Sequence, residues 1–241
     1  MEFAHLLQGI ILSGFFGLAI GNFATNPIYR LPRRESLFLR DPYCGDCNAK
    51  LLPKDLFPVL SWLSTRGKCR YCGASVPGSY TATEALIGLL FVICFVKSGW
   101  SEAFVLVSFG TTAFVMLAMM LYIDNFFSGK TVVAAIVMGV VYRTLFDHTI
   151  YDAGGGMFAG LLIGGFVWRY SGRELIRDIA AFPPYLCLLV AAGAWLPLMP
   201  FFGVCVAGAL ATLFRKGRPW IVEWTLITAT VAEMLILMPS S

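Results

Sequence analysis

Charge is what this sequence has little of. Only 13% of its 241 residues are charged, while 58% are hydrophobic and the mean hydropathy is +0.76. Soluble domains carry about 25% charged residues, so most of this surface must face something other than water. The N-terminus also lacks basic residues, and the apolar block Leu6 to Ala24 runs on into Tyr29-Arg30-Leu31-Pro32. That block is therefore expected to be a retained membrane span rather than a cleavable signal peptide. No nucleotide-binding glycine loop is present. Gly154-Gly155-Gly156 opens an apolar run, where glycines are expected to allow close helix approach. There is no visible internal repeat and no cluster of acids central to the apolar blocks, which argues against a transporter.

What is present is a series of apolar blocks. They predict an all-α polytopic membrane protein with about eight spans, near 6–24, 82–97, 102–123, 131–147, 153–168, 180–198, 201–214 and 219–238. Several are short for a bilayer core of about 30 Å, so local thinning or burial against neighbours is expected. The expected organisation is a first span at 1–24, a loop domain at 25–81 and a seven-span membrane domain at 82–241. With the N-terminus outside, sixteen Lys and Arg fall on the inner side and only Lys97 and Arg143 on the outer. That asymmetry places the loop 25–81 in the cytoplasm. Nine of the basic residues lie between Arg30 and Arg70. Beside membrane spans such a stretch marks topology, and no nucleic-acid partner is expected.

The loop carries Cys44-Gly45-Asp46-Cys47 and Cys69-Arg70-Tyr71-Cys72-Gly73. Two Cys-x-x-Cys pairs at this separation suit a tetrahedral zinc site, each pair supplying two thiolates along one edge. Incidental pairs or a redox couple are the alternatives. Structural disulfides are not expected in a reducing cytosol. So small a loop cannot build a sufficient apolar core, so a metal would supply folding free energy. Cys94, Cys187 and Cys205 lie within spans and are expected to pack.

Acids at membrane depth are costly and raise a functional hypothesis. Asp124 ends the third span and Asp178 precedes the sixth, both on the inner side. Two such carboxylates could form an aspartyl hydrolase pair, one activating water and the other donating a proton. The alternatives are a solvated helix end for Asp124, and surface pairing with Arg173 and Arg177 for Asp178. Glu84 opens the second span as an interfacial cap or as part of a second site. Asp147, His148 and Asp152 mark an outer turn, and Glu233 lies near the outer end of the last span, where it can reach the interface.

The block Tyr29-Arg30-Leu31-Pro32-Arg33, Cys44, Cys47, Pro58-Val59-Leu60-Ser61-Trp62, Arg66 to Gly73, Tyr80 and Glu84 closely resembles the type IV prepilin peptidases. Weaker resemblance continues through Ile123-Asp124, Gly172-Arg173-Glu174 and Gly193-Ala194-Trp195-Leu196. The resemblance implies a bifunctional inner-membrane enzyme of type IV pilus or type II secretion systems. Such enzymes cut the leader from prepilins or pseudopilins at the cytoplasmic face and methylate the new N-terminus with S-adenosylmethionine. Membrane lipids are the other expected partners. The family uses two membrane aspartates, the second in a Gly-x-Gly-Asp motif, and Asp124 falls where the first is expected. No Gly-x-Gly-Asp exists in this chain. Counting back from Gly193 reaches Tyr185, whereas counting forward from Gly172 meets Asp178. Either Asp178 takes the role through a shifted loop, or the chain is a degenerate relative acting as a non-catalytic binding or assembly factor.

Overall fold

The computed structural model describes residues 2–37, 42–124, 126, 128–146, 154–162, 184–196, 201, 203–204 and 220–238. Among these there is no β-strand, only two isolated bridges, Tyr43 with Lys50 and Lys68 with Ser75. The helices are α1 (Glu2–Arg30), α2 (Leu60–Ser64), α3 (Gly78–Ser98), α4 (Glu102–Asp124), α5 (Gly129–Phe146), α6 (Pro184–Trp195) and α7 (Trp220–Leu237). Residues 154–162 are also helical. A 3-10 turn spans Pro53–Asp55. The all-α expectation therefore stands.

Four of these helices, Phe3–Arg30, Gly78–Ser98, Glu102–Asp124 and Gly129–Phe146, are long and apolar enough to cross a membrane. For these four, expected spans and observed helices agree to within four residues, except that α1 runs past Ala24 to Arg30. The expected span 201–214 and the second part of 153–168 lie mostly outside the described residues. The apolar run stops at Ala24, yet the last turns are held by specific contacts. Ile28 and Arg30 are buried, and the Arg30 guanidinium donates to the carbonyls of Ser36 and Leu37 at 3.1 and 3.4 Å.

The chain divides into two compact units, Met1–Trp100 and Ser101–Ser241. In the first, α1 packs along α3. Small residues bring the backbones together: a Cβ on Gly21 would lie 2.8 Å from the Cα of Glu84, and one on Gly17 would lie 2.9 Å from the Cα of Gly88. This is the small-residue contact that membrane helices use in the absence of a hydrophobic drive.

In the second unit α4 packs on α5 and α7, and α6 packs on α5 and α7. Trp195 organises this bundle. It is buried, its indole N–H donates to the carbonyl of Ala135 at 2.8 Å, and its ring stacks on Tyr142 at 5.4 Å. Gly110 and Gly139 make room for that ring. Of the glycine triplet, only Gly156 meets another backbone, at Gly193, while Gly154 and Gly155 face open space. Arg143, counted from sequence as an outer charge, is buried.

Candidate metal centre and candidate aspartates

The two Cys-x-x-Cys segments fold as near copies of one another. In the first, the Cys44 N–H donates to Ala49 O at 3.0 Å and Asn48 N–H returns to Cys44 O at 2.9 Å. In the second, Cys69 N–H donates to Ala74 O at 2.7 Å and Gly73 N–H returns to Cys69 O at 2.9 Å. Each turn needs a left-handed residue just after its second cysteine, supplied by Asn48 (φ 55°) and Gly73 (φ 75°). Those are the residue types that enter this region at least cost.

The turns face one another, so that all four sulfurs lie within 4.8 Å of each other. Cys44 and Cys72 Sγ are 4.0 Å apart. Metal–thiolate bonds of about 2.3 Å in a tetrahedron require sulfur separations of about 3.8 Å. A small contraction therefore closes the set, and these four residues could hold a metal ion. Cys69 is buried, and Cys47 and Cys72 are exposed. Backbone N–H groups of Cys72 and Tyr71 pull the Cys69 thiol down to about 7. At Cys72 the Ala74 N–H acts in the same direction, but desolvation and hydrogen bonds with the other sulfurs prevail and push it up to about 12. Cys69 and Cys72 thus do not ionise alike on their own. A cation at the centre of the four would favour the thiolate at every one.

The residues between the second pair of cysteines are also fixed. Asp55 accepts from Arg70 Nε at 2.9 Å, from the Tyr71 hydroxyl at 2.8 Å and from the Leu52 N–H at 3.1 Å. Desolvation alone would raise the Asp55 carboxyl, but the bonds from Tyr71, Leu52 and Arg70 outweigh it and hold the group below its ordinary range. On the other flank, Trp62 Nε1 donates to Val76 O at 3.0 Å, and its ring leaves space only for a glycine at Gly67, whose φ is +70°.

The base of the loop is tied to the helices. Tyr29 and Tyr80 stack with ring centroids 3.8 Å apart, and the Tyr29 hydroxyl meets Ser79 Oγ at 2.6 Å. Glu84 is buried. Its carboxylate accepts from Asn22 Nδ2 at 3.0 Å and from the Val59 N–H at 2.8 Å, while Asn22 also donates to Leu56 O at 3.0 Å. Val59 has φ 59°, an outlier for a β-branched residue that this carboxylate helps to hold. Sequence reasoning missed Asn22 and Asp55, since the partners of Asn22 are 62 and 34 residues away and the side-chain partners of Asp55 are 15 and 16 away.

Asp124 is half-buried at the C-terminal end of α4. Asp178, Arg173, Arg177, Asp147, His148, Asp152 and Cys205 lie outside the described residues. Tyr185 belongs to the first turn of α6. Cys94 is buried in α3 and Cys187 half-buried in α6, as packing residues would be.

Residues 15–98, the block that holds the four cysteines and Glu84, match the Bacterial Peptidase A24 N-terminal domain. The chain is similar to the prepilin leader peptidase/N-methyltransferase of Myxococcus xanthus, 38% identical over 96 residues, a match covering 38% of this chain and 29% of that protein. Longer matches reach the Type 4 prepilin-like proteins leader peptide-processing enzyme of Escherichia coli O78:H11, 25% identical over 86% of each chain. The prepilin leader peptidase/N-methyltransferase of Dichelobacter nodosus is also 25% identical, over 91% of this chain and 90% of its own. No solved structure matches the chain. The resemblance read from the cysteine loop is thus met by relatives aligned along most of the sequence.

Proposed function

We propose that this chain, built on an A24-type N-terminal domain, is a membrane enzyme that removes the leader from type IV prepilins or pseudopilins and methylates the new N-terminus. The observation that carries this reading is similarity over 86% and 91% of the chain to enzymes named for leader processing. The reaction would take place at the cytoplasmic face of a bacterial inner membrane, the side on which the basic residues collect. Methyl transfer would draw on S-adenosylmethionine.

For the peptidase step we assign Asp124 and Asp178 as the aspartyl pair. One carboxylate, ionised, takes a proton from the attacking water. The other, protonated, donates to the departing amine. The motivation is that Asp124 stands at the family's first aspartate position, and Asp178 is the acid nearest the second. Co-expression with a prepilin tests this, leader removal being read as a mobility shift on a gel. Asp124→Asn and Asp178→Ala should each lower cleavage by about 10²-fold or more. Full cleavage by Asp178→Ala would remove that residue from the pair. Prepilin that co-purifies uncut with the wild-type chain would point to a non-catalytic assembly factor.

In the four-cysteine cluster the fitting ion is zinc, held structurally with no open position. Elemental analysis should find about one zinc per chain, lost when Cys44 and Cys47 are both changed to Ser. A folded, zinc-free wild-type preparation would sink this assignment.

A further inference from the structure

The cysteine loop does not stay beyond the ends of the helices it connects. It leaves α1 at Arg30 and joins α3 at Gly78, yet its Leu56 carbonyl meets Asn22 and its Val59 N–H meets Glu84. At about 1.5 Å per residue, Asn22 lies about 12 Å back from Arg30 along α1, and Glu84 about 9 Å into α3. Phe57 reaches towards a residue further still, its ring 6.3 Å from that of Phe15. The segment therefore folds back alongside the helix pair, towards the middle of α1.

Its outer face is apolar. Phe57, Leu60 and Leu63 are 47%, 58% and 56% exposed; Leu60 and Leu63, three residues apart on α2, share one side of it. Through the Phe57–Phe15 contact this face continues the exposed apolar surface of α1, which includes Phe16 and Phe23. Lys54 and Arg66, both exposed, bracket it in sequence.

We propose that Phe57–Leu63 is a membrane-inserted segment of the cysteine loop, its outer face covered by phospholipid. The inference rests on α1 being a membrane span. Phe15 lies about 14 Å into the span from Ala24, where the apolar run ends. The depth of the Phe57–Phe15 contact, together with continuity with the face of that span, selects lipid as the occupant. The hydrogen bonding agrees: backbone that leaves helical geometry at lipid depth needs partners that lipid cannot supply, and Asn22 and Glu84 supply them to Leu56 and Val59. Asn22 and Glu84, in predominantly apolar helices, thereby acquire a purpose, to dock a segment of the loop inside the membrane boundary. Lys54 and Arg66 would then lie among the phosphates, as basic residues flanking interfacial segments do.

The test uses the full chain in vesicles of phosphatidylethanolamine and phosphatidylglycerol, with a benzophenone amino acid placed singly at Leu60, Leu63, Phe15 or Asn48. Phospholipid adducts are expected at Leu60 and Leu63 at levels comparable to Phe15, with few at Asn48. Lipid adducts at Phe15 but not at Leu60 or Leu63 would overturn the inference. So would adducts at those two positions to a second copy of the chain or to co-reconstituted prepilin in place of lipid. An absence of lipid adducts at Phe15 as well would remove the premise that α1 spans the membrane, a failure separable from the first. Oxidative footprinting of the unmodified protein gives a readout without substitution. After correction for intrinsic side-chain reactivity, Phe57, Leu60 and Leu63 should be labelled several-fold less in vesicles than Tyr71, and equal corrected labelling would contradict insertion.

Discussion

Asp55 gathers three donors from two parts of the loop, and two of them, Arg70 and Tyr71, are the residues between Cys69 and Cys72. It therefore sets how the second pair of thiols is presented. Arg70 is 40% exposed, so solvent screens the ion pair, and the whole contact is worth on the order of 1 kcal/mol. The Asp55 carboxyl sits below its ordinary range in the folded protein. Its stabilisation is then present above the unfolded value of about 3.9 and is lost as pH falls through the lower folded value. Asp55→Asn should lower the thermal midpoint at pH 7. The gap between variant and wild type should close below about pH 4. A gap that persists unchanged into acid would show that the carboxylate's charge is not what matters. The cysteines were readable because Cys-x-x-Cys is chemistry compressed into four residues. Asp55 was not, because its side-chain partners Arg70 and Tyr71 become neighbours only after the loop has folded.

At the scale of elements, the contact between α1 and α3 is set by what is missing from the side chains. At Gly21 a Cβ would strike the backbone of Glu84, 2.8 Å away, and backbone cannot swing aside as a side chain can. Gly21→Leu should therefore cost about 1–3 kcal/mol and loosen the Asn22–Glu84 contact beside it, whereas Gly45→Ala, in open space, should change little. Unfolding of the two variants in the same detergent compares them directly, and equal stability would contradict the close packing. Apolar runs announced these helices, so their existence was legible. Their ends were less so: Tyr29 and Arg30 read as loop by composition, but stacking and carbonyl contacts keep them helical. Glu84 was read at the opening of its span, but α3 begins six residues earlier, at Gly78. Its polar partners, however, come from α1 and from the loop, and no local pattern in α3 contains them.

For the molecule as a whole, composition carried the membrane assignment, and charge asymmetry is the ground for the proposed orientation. If the loop is cytoplasmic, Cys47 and Cys72, the exposed pair, should react with a membrane-impermeant maleimide after metal chelation in inverted vesicles. In right-side-out vesicles they should not react, and labelling there would reverse the topology. The second aspartate was the least legible feature, because two sequence anchors, Gly172 and Gly193, count to different residues. A shifted or degraded motif leaves no spacing from which to measure.

The Tyr29–Tyr80 stack and the Tyr29–Ser79 bond fasten the loop where it leaves and re-enters the helices. The long excursion between them is thus closed into a ring by contacts that need no ion. The entropy of bringing distant chain ends together falls on that aromatic fastening, and the ion need close only the shorter ring between Cys47 and Cys69. Stripping an ion bound at the four cysteines should accordingly fray the tip of the loop while its base stays fastened, so that the protein loses order from the outside inwards rather than all at once.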